Sequence, residues 1–372
     1  MTAKVLVVDD SALMRRQLRT LLEAEGFVVD IARNGEDALD KCRHEPPDVI
    51  TLDINMPVMD GLTCLSHLMS ETPCPVIMVS SLTDKGALAT FEALELGAFD
   101  YIAKPDGTVS RDMQSVSEAL IARINAALES SGKSGSAGQE TRGGAIGREA
   151  APARKPGSGV SESASTHSRR QAPVFADPPA HSLVVVGVST GGPGTLEVIL
   201  SALPADFPVP IVIAQHMPAR FTEVFAARLN ELCQLRVREV RAPVTLEPGT
   251  VYLARGDADM RITRRAGRLT AKSLPSSDRY LWHPSVSRLM ASAMEAVPAD
   301  KLIAVQLTGM GYDGAEEMAE AHRQGALTIA ESESSAVVYG MCRVLAENGG
   351  ADAICDKHRV ADQLIDWLAP KD

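Results

Sequence analysis

The chain has 372 residues, a net charge of -11, 45% hydrophobic residues and 4% aromatic ones. That length suits two or three domains, and the acidic balance argues against nucleic acid as the main partner. The six cysteines are scattered without C-x-x-C spacing, MTAKVLVVDD is not a signal leader, and no apolar run approaches the ~18 residues of a membrane span. A cytoplasmic chain with no membrane insertion is expected, with neither a zinc site nor a disulfide framework.

Lys4 to Val8 reads as a short apolar strand ending in Asp9-Asp10, and Leu13, Leu18, Leu21 and Leu22 follow at helical spacing. The alternation repeats through strands at Val28 to Ile31, Val49 to Leu52, Pro75 to Val79 and Tyr101 to Ala103, with a closing helix at Val116 to Leu128. Such β-α alternation predicts a doubly wound parallel sheet, whose functional groups gather at the carboxyl ends of the strands. Those ends carry Asp9, Asp10, Asp53, Ser80 and Lys104. Converging carboxylates repel one another unless a divalent cation or a proton intervenes, and oxygen ligands open to solvent suit Mg²⁺. A lysine and a hydroxyl facing the same cluster suit a phosphoryl group placed on one carboxylate. Taken singly, Asp9 and Asp10 read as helix caps and Lys104 as a surface charge.

Residues 1 to 128 resemble the receiver domain of two-component response regulators. The resemblance rests on Asp9-Asp10 after the first strand, Asp53 in LDINMPVMDG, Ser80 after VIMV, and Lys104-Pro105. It implies phosphorylation of Asp53 by a histidine kinase and a Mg²⁺ site made of Asp9, Asp10, Asp53 and the Asn55 main-chain carbonyl. It also implies a switch formed by Ser80, Tyr101 and Lys104.

From 129 to 180 the composition turns to Gly, Ser, Ala and Pro, and large apolar residues nearly vanish. A segment that buries so little cannot offset its ordering entropy, so a disordered linker is expected, as a passive tether or a docking segment.

Residues 181 to 372 open on LVVVGVSTGGPG, an apolar strand running into a glycine-bounded turn and then a helical pattern. A serine at such a turn is either an exposed nucleophile or a helix cap. Further strands end in Gln215-His216 and in Thr308-Gly309-Met310-Gly311-Tyr312-Asp313. Ser189, His216 and Asp313 thus share one edge of a second parallel sheet, where a histidine could take the serine proton and a carboxylate orient the histidine. His283 is a rival base, and Asp257, Asp259 and Asp278 are rival acids. Asp313 also reads as a cap for the helix after it. The short runs TVYLA and MRITRRAGRLTA between 235 and 272 suggest an insertion rich in β-hairpins. A dinucleotide fingerprint at Gly187 to Gly192 fails, because Ser189 occupies its second glycine and the next strand ends without a ribose-binding acid.

This half resembles the catalytic domain of the chemotaxis protein-glutamate methylesterases, on VSTGGP, QHMPARFTEVFAARLN, HPSV, LTGMGYDGA and VVYGM. The resemblance implies Ser189 as nucleophile, His216 as base, Asp313 as orienting acid, and Thr190 and Met310 on the oxyanion side. It implies hydrolysis of γ-glutamyl methyl esters on chemoreceptors with release of methanol, a related glutamine deamidation, and no cofactor for the esterase. The partners implied are a chemotaxis-type histidine kinase as phosphodonor and methyl-accepting chemoreceptors as substrate. The receiver is expected to block the esterase until Asp53 is phosphorylated. Arg255, Asp259, Ser287 and Cys342 depart from the family pattern, the first two near the expected rim of the site. The fold class expected is α/β. Two doubly wound parallel-sheet domains, a flavodoxin-like receiver (1–128) and a Rossmann-like Ser-His-Asp esterase domain (181–372), are joined by the disordered linker. A catalytically silent docking protein and a transcriptional regulator are the rival classes; the acidic charge and the missing helix-turn-helix pattern weigh against the second.

Overall fold

The computed structural model describes residues 2–80, 83–104, 110–137, 175–176 and 182–370. The first domain runs β1 (Lys4–Val8), α1 (Ala12–Ala24), β2 (Val28–Ala32), α2 (Gly35–His44), β3 (Val49–Asp53), α3 (Gly61–Glu71), β4 (Val76–Ser80), α4 (Asp84–Glu95), β5 (Asp100–Ala103) and α5 (Ser110–Ala137). Its strands form one parallel sheet in the order β2-β1-β3-β4-β5. Strands β1 and β3 are buried on both faces, which is why they read as unbroken Val, Leu and Ile. The chain leaves β1 toward β2 and returns to β3 on the other side, so the crevice between the ends of β1 and β3 is the switch point where functional groups collect.

The second domain runs β6 (Leu183–Val188), α6 (Gly192–Ser201), β7 (Ile211–Gln215), α7 (Ala219–Leu232), β8 (Arg236–Val240), β9 (Val244–Thr245), β10 (Thr250–Ala254), β11 (Ala258–Arg265) and β12 (Arg268–Pro275). It continues through α8 (Val286–Ala296), β13 (Leu302–Gln306), α9 (Ala315–Arg323), β14 (Leu327–Glu331), α10 (Met341–Glu347), β15 (Ala353–Cys355) and α11 (Lys357–Leu368). Seven strands make a parallel sheet in the order β15-β14-β13-β6-β7-β10-β8. Its switch point lies at β6, with β13 on one side and β7 on the other.

The expected hairpin-rich insertion needs correction. TVYLA is β10, a fully buried strand that pairs in parallel with β7 and β8. Five consecutive buried residues mark a strand covered on both faces, and the short run was ambiguous by pattern alone. Only β11 and β12 form an antiparallel hairpin, extended by β9.

The two domains pack together through α4 and α7. Phe91 stacks on Phe225 with ring centroids 5.2 Å apart and meets Phe221 edge-on at 6.3 Å. Tyr101, in β5, stacks on Phe221 at 4.8 Å. All four rings are buried, and each phenylalanine so covered contributes about 2–3 kcal/mol relative to exposure. Arg228 completes the contact, bridging Glu95 of the receiver and Glu197 of α6.

Of the expected linker, α5 occupies the start through Ala137, and residues 138–174 and 177–181 lie outside the described residues. Where the chain is described again, the Phe175 ring lies 6.0 Å from Phe207 and the Ala176 amide donates to the Leu368 carbonyl at 3.1 Å. Among the described residues, no helix is long and apolar enough to cross a membrane.

Candidate active site

The turn after β6 places Ser189. Gly191 has φ +77°, a left-handed conformation that favours glycine, and a Cβ there would lie 2.5 Å from Val337. This turn directs the chain into α6 at once, with the Gly192 amide donating to the Ser189 carbonyl at 2.8 Å. The Ser189 amide donates to Thr308 at the end of β13, and Gln215 Nε2 donates to the Ser189 carbonyl at 3.0 Å. Gly309 approaches so closely that a Cβ on it would sit 2.7 Å from the Ser189 Cβ. Thr190 and Met310 therefore flank the serine from two neighbouring strand ends.

His216 follows β7, in register with this turn: Val188 pairs with Gln215, and the His216 amide donates to the Val188 carbonyl at 3.1 Å. Its ring is buried, with Nε2 2.9 Å from Asp313 Oδ2. Among the described residues, the other ring nitrogen, Nδ1, is buried without a hydrogen-bond partner. One face of the ring stacks on Trp282, with centroids 5.7 Å apart and planes 6° from parallel, and Trp282 meets Tyr312 edge-on at 5.2 Å.

Asp313 does not cap the helix that follows it; Gly314 occupies the cap position of α9. Its carboxylate instead faces the start of α8, where the Val286 amide donates at 2.7 Å, the Ser287 amide at 3.0 Å and Ser285 Oγ at 3.2 Å. Burial pushes the Asp313 carboxyl up, but His216 and these amides outweigh it and hold it below the usual carboxylate range. The α8 dipole acts in the same direction.

Three of the four rivals have other partners, and Asp278 is exposed. His283 Nδ1 lies 2.9 Å from Asp259 Oδ1, forming a second histidine–aspartate pair. Asp257 accepts the Ala219 amide at the start of α7. Asp259 was expected near the rim of the site; it is buried, held also by Ser285 and Arg288, whereas Arg255 is exposed. Ser287 Oγ donates to Glu317 and accepts the Gly314 amide, and the buried Cys342 thiol donates to the Gln306 carbonyl. The side chains that sequence reasoning missed are Trp282, Tyr312, Ser285 and Glu331. The first three lie within or beside the WHPSV and LTGMGYDGA runs, so their place in the sequence was the available signal.

In the receiver, the carboxylates of Asp9, Asp10 and Asp53 have oxygens within 4.8 Å of one another. Lys104 Nζ pairs with Asp9 at 2.9 Å and Asp53 at 2.8 Å. Burial raises the Asp53 carboxyl above its usual range, and nearby Asp9 adds to this against the pull of Lys104. Three hard oxygen donors in need of positive charge fit a small divalent cation. The Asn55 amide donates to Asp53 Oδ1 at 3.4 Å. Tyr101 is buried in the domain contact, and the side chain of Ser80 and residue Pro105 lie outside the described residues.

Fold and site define a two-domain α/β protein, a receiver carrying an aspartate cluster joined to a domain with a Ser-His-Asp cluster on its sheet edge. The receiver domain of response regulators matches residues 5–111, and the CheB methylesterase domain matches residues 184–364. A protein-glutamate methylesterase/protein-glutamine glutaminase of Rhodospirillum rubrum is 49% identical over 98% of this chain and 96% of its own length. Another, from Caldanaerobacter subterraneus, is 43% identical over 97% of this chain and 95% of its own. The crystal structure of the Thermotoga maritima CheB methylesterase catalytic domain is 36% identical and covers 50% of this chain and 98% of that one, with a TM-score of 0.48. The chain belongs to the protein-glutamate methylesterase/protein-glutamine glutaminase family.

Proposed function

We propose that this chain hydrolyses γ-methyl esters of glutamyl residues on chemoreceptors, and deamidates glutamines there, under control of phosphorylation at Asp53. The observation that carries the reading is the serine in a glycine-bounded turn, with a histidine at the neighbouring strand end whose Nε2 is held by a buried aspartate. Ser189 Oγ attacks the ester carbonyl as the unpartnered His216 nitrogen takes its proton. Asp313 orients the imidazole and favours its charged form. The Thr190 and Met310 main-chain amides, with the start of α6, face the oxyanion that develops. His216 then gives its proton to the departing methoxide, which leaves as methanol and leaves an acyl ester on Ser189. Water, deprotonated by the same histidine, attacks that ester; the proton returns to Ser189 and glutamate is released. With a glutamine substrate the leaving group is ammonia.

Asp53 accepts a phosphoryl group from the phosphohistidine of a chemotaxis-type kinase: a P–N bond breaks and an O–P bond forms, with Lys104 pairing to the phosphoryl oxygens. Asp9, Asp10, Asp53 and the Asn55 carbonyl would hold Mg²⁺, which when bound supplies positive charge against the incoming phosphoryl group. The unphosphorylated receiver restrains the esterase through α4 and Tyr101, which rest on α7, the helix that begins just after His216. The free cysteines fit a reducing, cytoplasmic setting. A fluorophosphonate probe tests the nucleophile. Label is expected on Ser189, and faster after phosphorylation; label on another serine, persisting in Ser189→Ala, overturns the assignment.

A further inference from the structure

We infer that Asp259 is a positioning residue of this site, acting on both His216 and Asp313 through the turn at residues 282–287. The inference rests on the reading of Ser189, His216 and Asp313 given above. The Asp259 side chain lies in β11 with no exposed surface. Its Oδ1 accepts His283 Nδ1 at 2.9 Å and the Ser285 amide at 2.9 Å, and its Oδ2 accepts Arg288 Nη1 at 2.6 Å. A buried carboxylate is costly unless paired and hydrogen-bonded, so its donors show what it was placed to hold. Here all three come from one stretch on both sides of Pro284, and none from the hairpin that carries Asp259.

Each end of that stretch acts on a member of the cluster. Trp282, adjacent to His283, covers one face of the His216 ring. Ser285, Val286 and Ser287 supply three donors to Asp313, which holds the edge of the same ring. The face and the edge of the imidazole are therefore both fixed by one turn, and the turn is fixed by Asp259. Arg288 ties the arrangement to the hairpin by a second bond, to the Pro275 carbonyl at 3.0 Å. Loss of the Asp259 carboxylate frees the turn at its entry, its centre and the first turn of α8. The histidine then loses its set plane while the nucleophile and the substrate surface stay in place.

Asp259→Ala removes all three bonds, whereas Asp259→Asn keeps an acceptor for Ser285 and His283 and gives up the charge and the bond from Arg288. Both are made in the full chain with Trp367→Phe, so that Trp282 is the one emitting tryptophan of the two. Methanol release from a glutamyl γ-methyl ester peptide, thermal unfolding and Trp282 emission are read together. In Asp259→Ala, kcat is expected to fall ~10–100-fold with KM within about twofold, and the emission to shift to the red as the indole leaves His216. Asp259→Asn is expected to recover most of both. A lower Tm with kcat of the folded protein and emission unchanged overturns the proposal, as does a change confined to KM. If the parent chain releases no methanol, the functional reading fails, and the emission alone decides whether Asp259 positions the turn: an unshifted band rejects it.

Discussion

At the residue scale, the Ser-His-Asp cluster and the groups around it make different demands on charge. Asp313 is useful only as an anion, and four donors keep it one despite burial. Asp313→Asn should lower kcat ~10³–10⁴-fold with the fold retained, measured by methanol release and circular dichroism, because the amide neither fixes the imidazole tautomer nor stabilises its cation. The depressed Asp313 value also contributes stability at neutral pH, lost only as pH falls below its ordinary 3.8 and through the lower folded value. Glu331 behaves oppositely. Burial raises its carboxyl above 4.5, although it accepts the Thr308 amide and Ser335 Oγ. The native state binds this proton more tightly than the unfolded chain, so stability falls as pH rises through the raised value. Glu331→Gln keeps the acceptor for Thr308 and should raise Tm at about pH 8, with the gain shrinking toward acid pH. A gain that is constant across the range would reject the assignment of that charge.

At the element scale, most of what places the site was legible because strands buried on both faces read as apolar runs whose last residues stand out. Ser189, His216, Asp313, Asp9, Asp53 and Lys104 all emerged in that way. What was not legible came from contacts distant in sequence. The hold of Asp259 on the 282–287 turn depends on where a hairpin folds, and TVYLA looked like hairpin because five residues do not separate an edge strand from a central one. The role of Asp313 was ambiguous for a similar reason. Cap and proposed orienting acid share one local pattern, and the structure rules out the cap, since the carboxylate faces the start of α8. The turn at Ser189 carries a sharp prediction. Gly309→Ala forces a methyl group against Met341 Sδ and, at 2.7 Å, against the Ser189 Cβ. It should cost ~1–3 kcal/mol of stability by overpacking and about 10²-fold in kcat by displacing the serine, read from denaturant unfolding and turnover in parallel.

At the scale of the whole molecule, the regulation proposed above rests on an aromatic contact between domains that sequence patterns could assign only to separate cores. Phe91 and Tyr101 belong to the receiver, Phe221 and Phe225 to the esterase domain, and the four rings form one buried set. Tyr101 is thus both the expected switch residue and a direct contact of the helix leading out of His216. A second approach lies across an open cleft of about 780 Å³, where Ala126, Glu129 and Ser130 of α5 face the 332–339 segment. Val337 of that segment packs on the turn at Ser189, beside Gly191. Phe91→Ala should weaken the contact and raise the unphosphorylated esterase rate roughly tenfold, which corresponds to ~1.4 kcal/mol of lost restraint. The most direct test of the whole account is methanol release from a methylated chemoreceptor by the full chain, with Mg²⁺, before and after addition of a small-molecule phosphodonor. Slow release that the phosphodonor accelerates is expected, with acceleration absent in Asp53→Asn and no release in Ser189→Ala. Undiminished release by Ser189→Ala, or a rate indifferent to the phosphodonor, would contradict it.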